Sequence, residues 1–129
     1  MIQVICPVCG AALEPQGTAW RCVQGHCFDV ARQGYVNLLT VTQKHSRHPG
    51  DTREMVAARR AFLDAGWYAP IAKTLADLVR RFCPEAEAVL DAGCGEGYYL
   101  SQLGWVPERW GIDISRDAVR YAAARDRSA

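Results

Sequence analysis

An α/β chain in three parts is predicted by three observations. Cysteines and one histidine sit as two close pairs near the start, Cys6 with Cys9 and Cys22 with His26. Two helix-patterned segments follow a basic stretch in the middle. The apolar run Ala88–Leu90 then leads into Asp91 and three glycines at alternate positions, Gly93, Gly95 and Gly97. These mark out a metal-binding module over residues 1–40, a basic linker with two helices over 41–84, and the first half of a doubly wound parallel sheet over 85–129.

The chain has 129 residues, half of them hydrophobic, enough for one modest core. A net charge of +1 excludes a uniformly basic nucleic-acid binder but leaves room for a local basic patch. The sequence shows no run of transmembrane length and no secretory leader at Met1–Cys6, which predicts a cytoplasmic protein with no membrane partner. In that compartment six cysteines argue for metal binding or free thiols before disulfides.

The spacing Cys6-x2-Cys9-x12-Cys22-x3-His26 supplies four ligands in two pairs, the arrangement that encloses a tetrahedral Zn2+. Such a site has no open position for water, so its role is structural. Too few apolar residues lie in the first thirty to hold a core, and metal binding supplies the missing folding free energy, on the order of 10 kcal/mol. Reduced cysteines in a small core are the plain alternative. By chemistry alone Cys27 competes with His26 as the fourth ligand.

Between Gln43 and Arg60 five basic residues, Lys44, Arg47, Arg53, Arg59 and Arg60, stand against two acids, Asp51 and Glu54. This excess fits a phosphate contact surface, and equally a solvated linker and helix face. The first helix is expected to start at Asp51 through a capping box with Glu54 and to stop at Gly66. Pro70 opens the second, whose apolar residues Ile71, Leu75, Leu78, Val79 and Phe82 recur at helical spacing until Cys83-Pro84. Trp67 and Tyr68 form an aromatic corner between the two helices.

Ala88–Leu103 reads as strand, glycine turn and, from Tyr98, helix. Glycines are needed where the turn takes left-handed φ and where a Cβ would hold a ligand off the backbone. A dinucleotide fingerprint is G-x-G-x-x-G, built for a pyrophosphate. Asp91-x-Gly93-x-Gly95-x-Gly97 differs from it and resembles the first motif of S-adenosylmethionine-dependent methyltransferases. In that reading Asp91 receives the donor's ammonium. Trp110–Ile114 forms the next strand, and Asp113 at its end stands at about the interval of 20 residues where a ribose-binding carboxylate belongs. A last helix is expected from about Arg116 to Arg125. Cys94, inside the turn, reads as a small buried residue and not a nucleophile.

Several stretches taken together resemble the bacterial 23S ribosomal RNA guanine-N1 methyltransferases, which carry an N-terminal zinc module before a Rossmann-like domain. They are the four metal ligands, Phe28-Asp29 with Gly34–Leu39, Ser46-Arg47 with Pro49–Asp51, Ala58–Gly66, and Cys94–Tyr99. The resemblance implies that Cys6, Cys9, Cys22 and His26 bind Zn2+. It implies too that Tyr68, Gly93, Cys94, Gly95, Glu96 and Asp113 surround S-adenosylmethionine and that the basic region faces a 23S rRNA hairpin.

The same resemblance implies a six-stranded sheet, of which two strands are legible here. The chain is therefore expected to lack the guanine pocket and the proton acceptor and to be inactive alone, with no catalytic residue assignable; self-association as a homodimer is one way to cover the open sheet. Two other readings remain open. One is a zinc-dependent RNA-binding module without catalysis, and the other a methyltransferase with a small acceptor.

Overall fold

The computed structural model describes residues 2–126, a mixed α/β chain with two small sheets. The first is an antiparallel meander of three short strands, β1 (Glu14–Gln16), β2 (Ala19–Arg21) and β3 (Cys27–Asp29), with Pro15 opposite Trp20 and Trp20 opposite Phe28. Its core is Cys6, Leu13 and Cys22, with Val4, Ala11, Trp20, Phe28 and Leu38 packed around them. So few apolar side chains cannot hold a sheet of three-residue strands by burial alone.

A single 3-10 turn at Val41–Gln43 interrupts the linker before α1 (Arg53–Asp64) and α2 (Ala69–Phe82). The helix start differs from the capping box expected at Asp51. Thr52 is the N-cap, its hydroxyl accepting from the Met55 amide at 3.3 Å. Asp51 is engaged elsewhere: its carboxylate pairs with Arg59 at 2.6 Å, and its carbonyl accepts from the Ser115 hydroxyl at 2.8 Å. The next residue back, Gly50, sits at φ +81°, where a Cβ would lie 2.8 Å from the Ser115 amide. The linker is thus pinned to the far end of the chain at a point where only glycine fits. Gly66 ends α1 in the left-handed conformation expected of it.

The second sheet consists of β4 (Ala88–Ala92) and β5 (Glu108–Ile112), parallel and in register from Ala88 opposite Glu108 to Ala92 opposite Ile112. The helix expected directly after the glycine turn is only a 3-10 segment, Leu100–Leu103. The Ser101 hydroxyl and the Gln102 side-chain amide both donate to the Tyr98 carbonyl, at 2.6 and 3.4 Å, a competition that disfavours a regular helix in so short a span. The last helix, α3 (Arg116–Arg125), has the predicted bounds, and Ser115 caps it by accepting from the Ala118 amide.

Further contacts hold these elements together. Trp20 of β2 meets Trp110 of β5 edge to face at 5.9 Å between ring centroids. The Glu108 carboxylate accepts from the Ile2 amide at 3.0 Å and from the Trp110 indole at 2.8 Å, and these bonds hold it below the usual carboxylate range. Next to Glu108 on β5 the buried Arg109 forms a two-pronged pair with Asp126, at 2.8 and 3.0 Å, and donates to the Val106 carbonyl, tying the end of α3 to the strand.

Candidate metal centre and glycine-turn site

Cys6 and Cys9 flank a tight turn closed by the Gly10 amide on the Cys6 carbonyl at 2.8 Å, with Gly10 at φ +75°. Cys22 and His26 flank a second, in which the Cys22 amide donates to the His26 carbonyl. Side by side, the two turns bring the Cys9 and Cys22 sulfurs to 3.7 Å, and place the His26 Nδ1 3.3 Å from the Cys22 Sγ and 3.6 Å from the Cys6 Sγ. All four ligand atoms lie within 4.8 Å of one another. A tetrahedral zinc with bonds of about 2.0–2.3 Å sets its ligands roughly 3.5 Å apart, so this donor set fits that ion.

The backbone prepares the ligands as well. The Val8 amide points at the Cys6 sulfur at 3.4 Å. Burial raises the Cys22 thiol, but hydrogen bonds from the backbone at His26 and Gln24 and from the Cys9 and His26 side chains outweigh it and bring the group to about 6. Cys27, the rival fourth ligand, lies outside the cluster, exposed on β3.

At the other site, the turn after β4 has Gly93 at φ +83°, Gly95 at +57° and Gly97 at +85°. Their surroundings differ. A Cβ at Gly97 would meet Ala122 of α3 at 3.1 Å, whereas nothing lies within 4 Å of the Cβ positions of Gly93 and Gly95. Gly97 therefore admits the helix, and the other two leave open space. Four of the turn's amides are already used: Gly93 and Cys94 donate to the Ile112 carbonyl, Gly97 to that of Cys94, and Gly95 to the Asp113 carboxylate at 3.0 Å.

Asp113 also accepts from the Ser115 amide at 2.8 Å. Asp91 is raised above its ordinary value by burial and by the Asp113 charge. Among the described residues no basic side chain pairs with either acid, so the mouth of the turn is negative. Cys94 is buried, its sulfur 2.9 Å from where a Cβ on Gly111 would stand. Burial and the charges of Asp113 and Asp91 push its thiol up to about 12, which removes it as a nucleophile.

Glu96 turns inward. It is 2% exposed and pairs with Arg125 of α3, which also reaches Asp64 of α1 at 3.0 Å and stacks on the Tyr98 ring. Arg125 ties three elements together beneath the turn and was not singled out in the sequence, where nothing distinguishes it from its basic neighbours. Tyr68, at the start of α2, meets Phe62 edge to face at 5.1 Å and stays partly exposed.

The basic residues divide into two sets. Arg59 pairs with Asp51, and Arg60 pairs with Asp64 while covering the Tyr121 ring. Lys44, Arg47 and Arg53 instead border a cavity of about 1130 Å³ between the first sheet, the linker, β5 and α3, with Arg32 and Arg116 on the same lining. Arg32 and Arg116 lie far from the basic run in sequence, and only the fold joins them to it. Among the described residues no helix is long and apolar enough to cross a membrane.

Residues 4–47 match the zinc-ribbon family described as RlmA, N-terminal. The chain is 44% identical over 123 residues to a 23S rRNA (guanine(748)-N(1))-methyltransferase of Streptomyces fradiae, covering 92% of this chain and 43% of that protein. It is 42% identical over 139 residues to a Micromonospora griseorubida protein provisionally named 23S rRNA (guanine-N(1)-)-methyltransferase, covering 92% and 46%. A Bacillus subtilis (strain 168) protein, YxjB, provisionally named in the same way, is 33% identical over 129 residues, covering 92% and 44%. The chain thus spans less than half the length of the curated relatives it matches. Residues 4–47 thus match the RlmA N-terminal zinc-ribbon family, and the chain is similar to part of proteins named as 23S rRNA guanine-N1 methyltransferases.

Proposed function

We propose that this chain supplies the zinc module and the first half of the methyl-donor site of a cytoplasmic 23S rRNA guanine-N1 methyltransferase. The observation that carries the reading is the pair of carboxylates, Asp91 and Asp113, that no basic side chain among the described residues pairs with, beside a glycine turn most of whose amides already donate within the protein. Such a turn has little to offer a pyrophosphate, which seeks free amides and positive charge. It suits a cationic ligand carrying a ribose.

In this reading Cys6, Cys9, Cys22 and His26 hold a structural Zn2+ whose four protein ligands exclude water. Asp91 faces the ammonium of S-adenosylmethionine, Asp113 the ribose hydroxyls, and Gly93 and Gly95 give the donor room. Tyr68 forms a wall, Cys94 packs behind the turn, and Glu96 holds the turn from below through Arg125. When bound, the donor supplies an electrophilic methyl on a sulfonium. Guanine N1 would displace the sulfur at that carbon, the electron pair of the broken bond staying on sulfur and the N1 proton going to an acceptor, a role that no described residue is assigned. Lys44, Arg47 and Arg53, with Arg32 and Arg116, offer the phosphate contacts for an rRNA hairpin.

Titration calorimetry of the zinc-loaded chain with S-adenosylmethionine, paired with a hairpin methylation assay on the same sample, tests this. Saturable donor binding without methyl transfer is the expected result. Hairpin binding without donor binding would favour a zinc-dependent RNA-binding module, and methylation of a small acceptor without RNA would overturn the rRNA reading.

A further inference from the structure

Two bridges run from the middle segment to the glycine turn, and they end on neighbouring residues. The first begins where the linker meets α1. The buried Ser115 hydroxyl donates to the Asp51 carbonyl at 2.8 Å, and the Ser115 amide donates at the same distance to one oxygen of Asp113. The other Asp113 oxygen accepts from the Gly95 amide at 3.0 Å. The second begins at the last residue of α1, where Asp64 accepts from Arg125 at 3.0 Å, and Arg125 pairs in turn with the buried Glu96. Gly95 is thus tied to the start of α1 and Glu96 to its end.

Residues 41–48 of the linker are exposed, with a single 3-10 turn among them, so a partner that grips Lys44, Arg47 and Arg53 orders chain that the fold leaves at the surface. At Gly50, between Arg47 and Arg53, the backbone is seated so closely that a Cβ there would lie 2.9 Å from the Ser115 Cβ. Such a contact has no slack: a shift of the linker at that point displaces Ser115, and with it the amide that orients Asp113. We propose that Ser115 and Arg125 are positioning residues that couple the linker to the glycine turn, so that hairpin binding at the one orders the other and tightens donor binding. The coupling rests on the reading that the turn takes S-adenosylmethionine and the linker an rRNA hairpin. By linkage the donor then tightens hairpin binding by the same factor.

Calorimetric titration of the zinc-loaded 129-residue chain with S-adenosylmethionine, alone and with saturating hairpin, measures the coupling, and the reverse titration checks that it is reciprocal. The expected result is donor binding about tenfold tighter with hairpin present. Ser115→Ala cuts the first bridge, and Asp64→Ala cuts the second at its exposed end while leaving the pair of Arg125 with Glu96 in place. The double variant should bring the ratio of donor affinities to about one, with zinc content and helical circular dichroism unchanged. Asp64→Ala alone, which touches no helix cap, should lower the ratio about threefold. A ratio of one in the native chain with both ligands bound overturns the coupling and leaves the proposed function standing. A ratio that the double variant keeps also overturns it, by assigning the effect to direct attraction between the sulfonium and the RNA phosphates. Failure of the donor or the hairpin to bind in any combination overturns the proposed function and the coupling together.

Discussion

Within residues 6–26 four donor atoms from two adjacent turns converge to within 4.8 Å, whereas Asp91 and Asp113 meet only because a parallel strand pair brings residues far apart in sequence together. The first site is local, its donors set by two short backbone turns. The second is assembled from distant residues: its turn is held by bonds to β5, by Gly97 against α3 and by Glu96 against Arg125. A metal can stand in for a core when its ligands are close in sequence, but a ligand site assembled from a sheet is only as complete as the sheet.

The largest effect should come from breaking the metal cluster. His26→Ala or Cys22→Ser is expected to abolish zinc content of one per chain and hydrogen-exchange protection across residues 4–29, a loss on the order of 10 kcal/mol of binding free energy, with α1 and α2 largely intact. Cys27→Ser should leave the zinc content unchanged. Retention of zinc by the His26→Ala protein would show that Cys27 replaces it.

A smaller effect is expected in the sheet half. Glu96→Ala leaves Arg125 with Asp64 as its remaining carboxylate partner and should cost about 3 kcal/mol in urea denaturation, near the lower end for a broken buried pair. A loss below about 1 kcal/mol would mean that Asp64 alone satisfies the guanidinium.

The smallest effect concerns Cys94. With its thiol pushed up to about 12, iodoacetamide at pH 8 should modify the exposed Cys27 and Cys83 of the zinc-loaded chain and spare Cys94, as read by peptide mass. The folded form of a group raised in this way favours the proton. Its contribution to stability is present below the ordinary thiol value of 9.0 and is lost as pH rises from there through about 12. Rapid labelling of Cys94 at pH 8 would place the turn in an open state.

Much of this architecture was legible because its signals are local. Gly66 and Pro70 mark helix ends by backbone geometry, and the last helix has the expected bounds, Arg116–Arg125. The capping box at Asp51 failed because Arg59 and Ser115 compete for that residue, and Ser115 lies 64 positions away. The helix after the glycine turn failed because Ser101 and Gln102 take the Tyr98 carbonyl.

By itself the sequence determined the metal ligands' pairing, the glycine turn and its two flanking acids, since each depends on residue type and spacing over a few positions. Tertiary structure set His26 in the cluster and left Cys27 outside it, exposed on β3, where chemistry alone had left the two in competition. It also turned Glu96 from the turn's mouth to Arg125, and separated Lys44, Arg47 and Arg53 at the cavity from Arg59 and Arg60, already paired. Each of those outcomes is a competition between partners distant in the chain, and only packing fixes which partner is near enough to win.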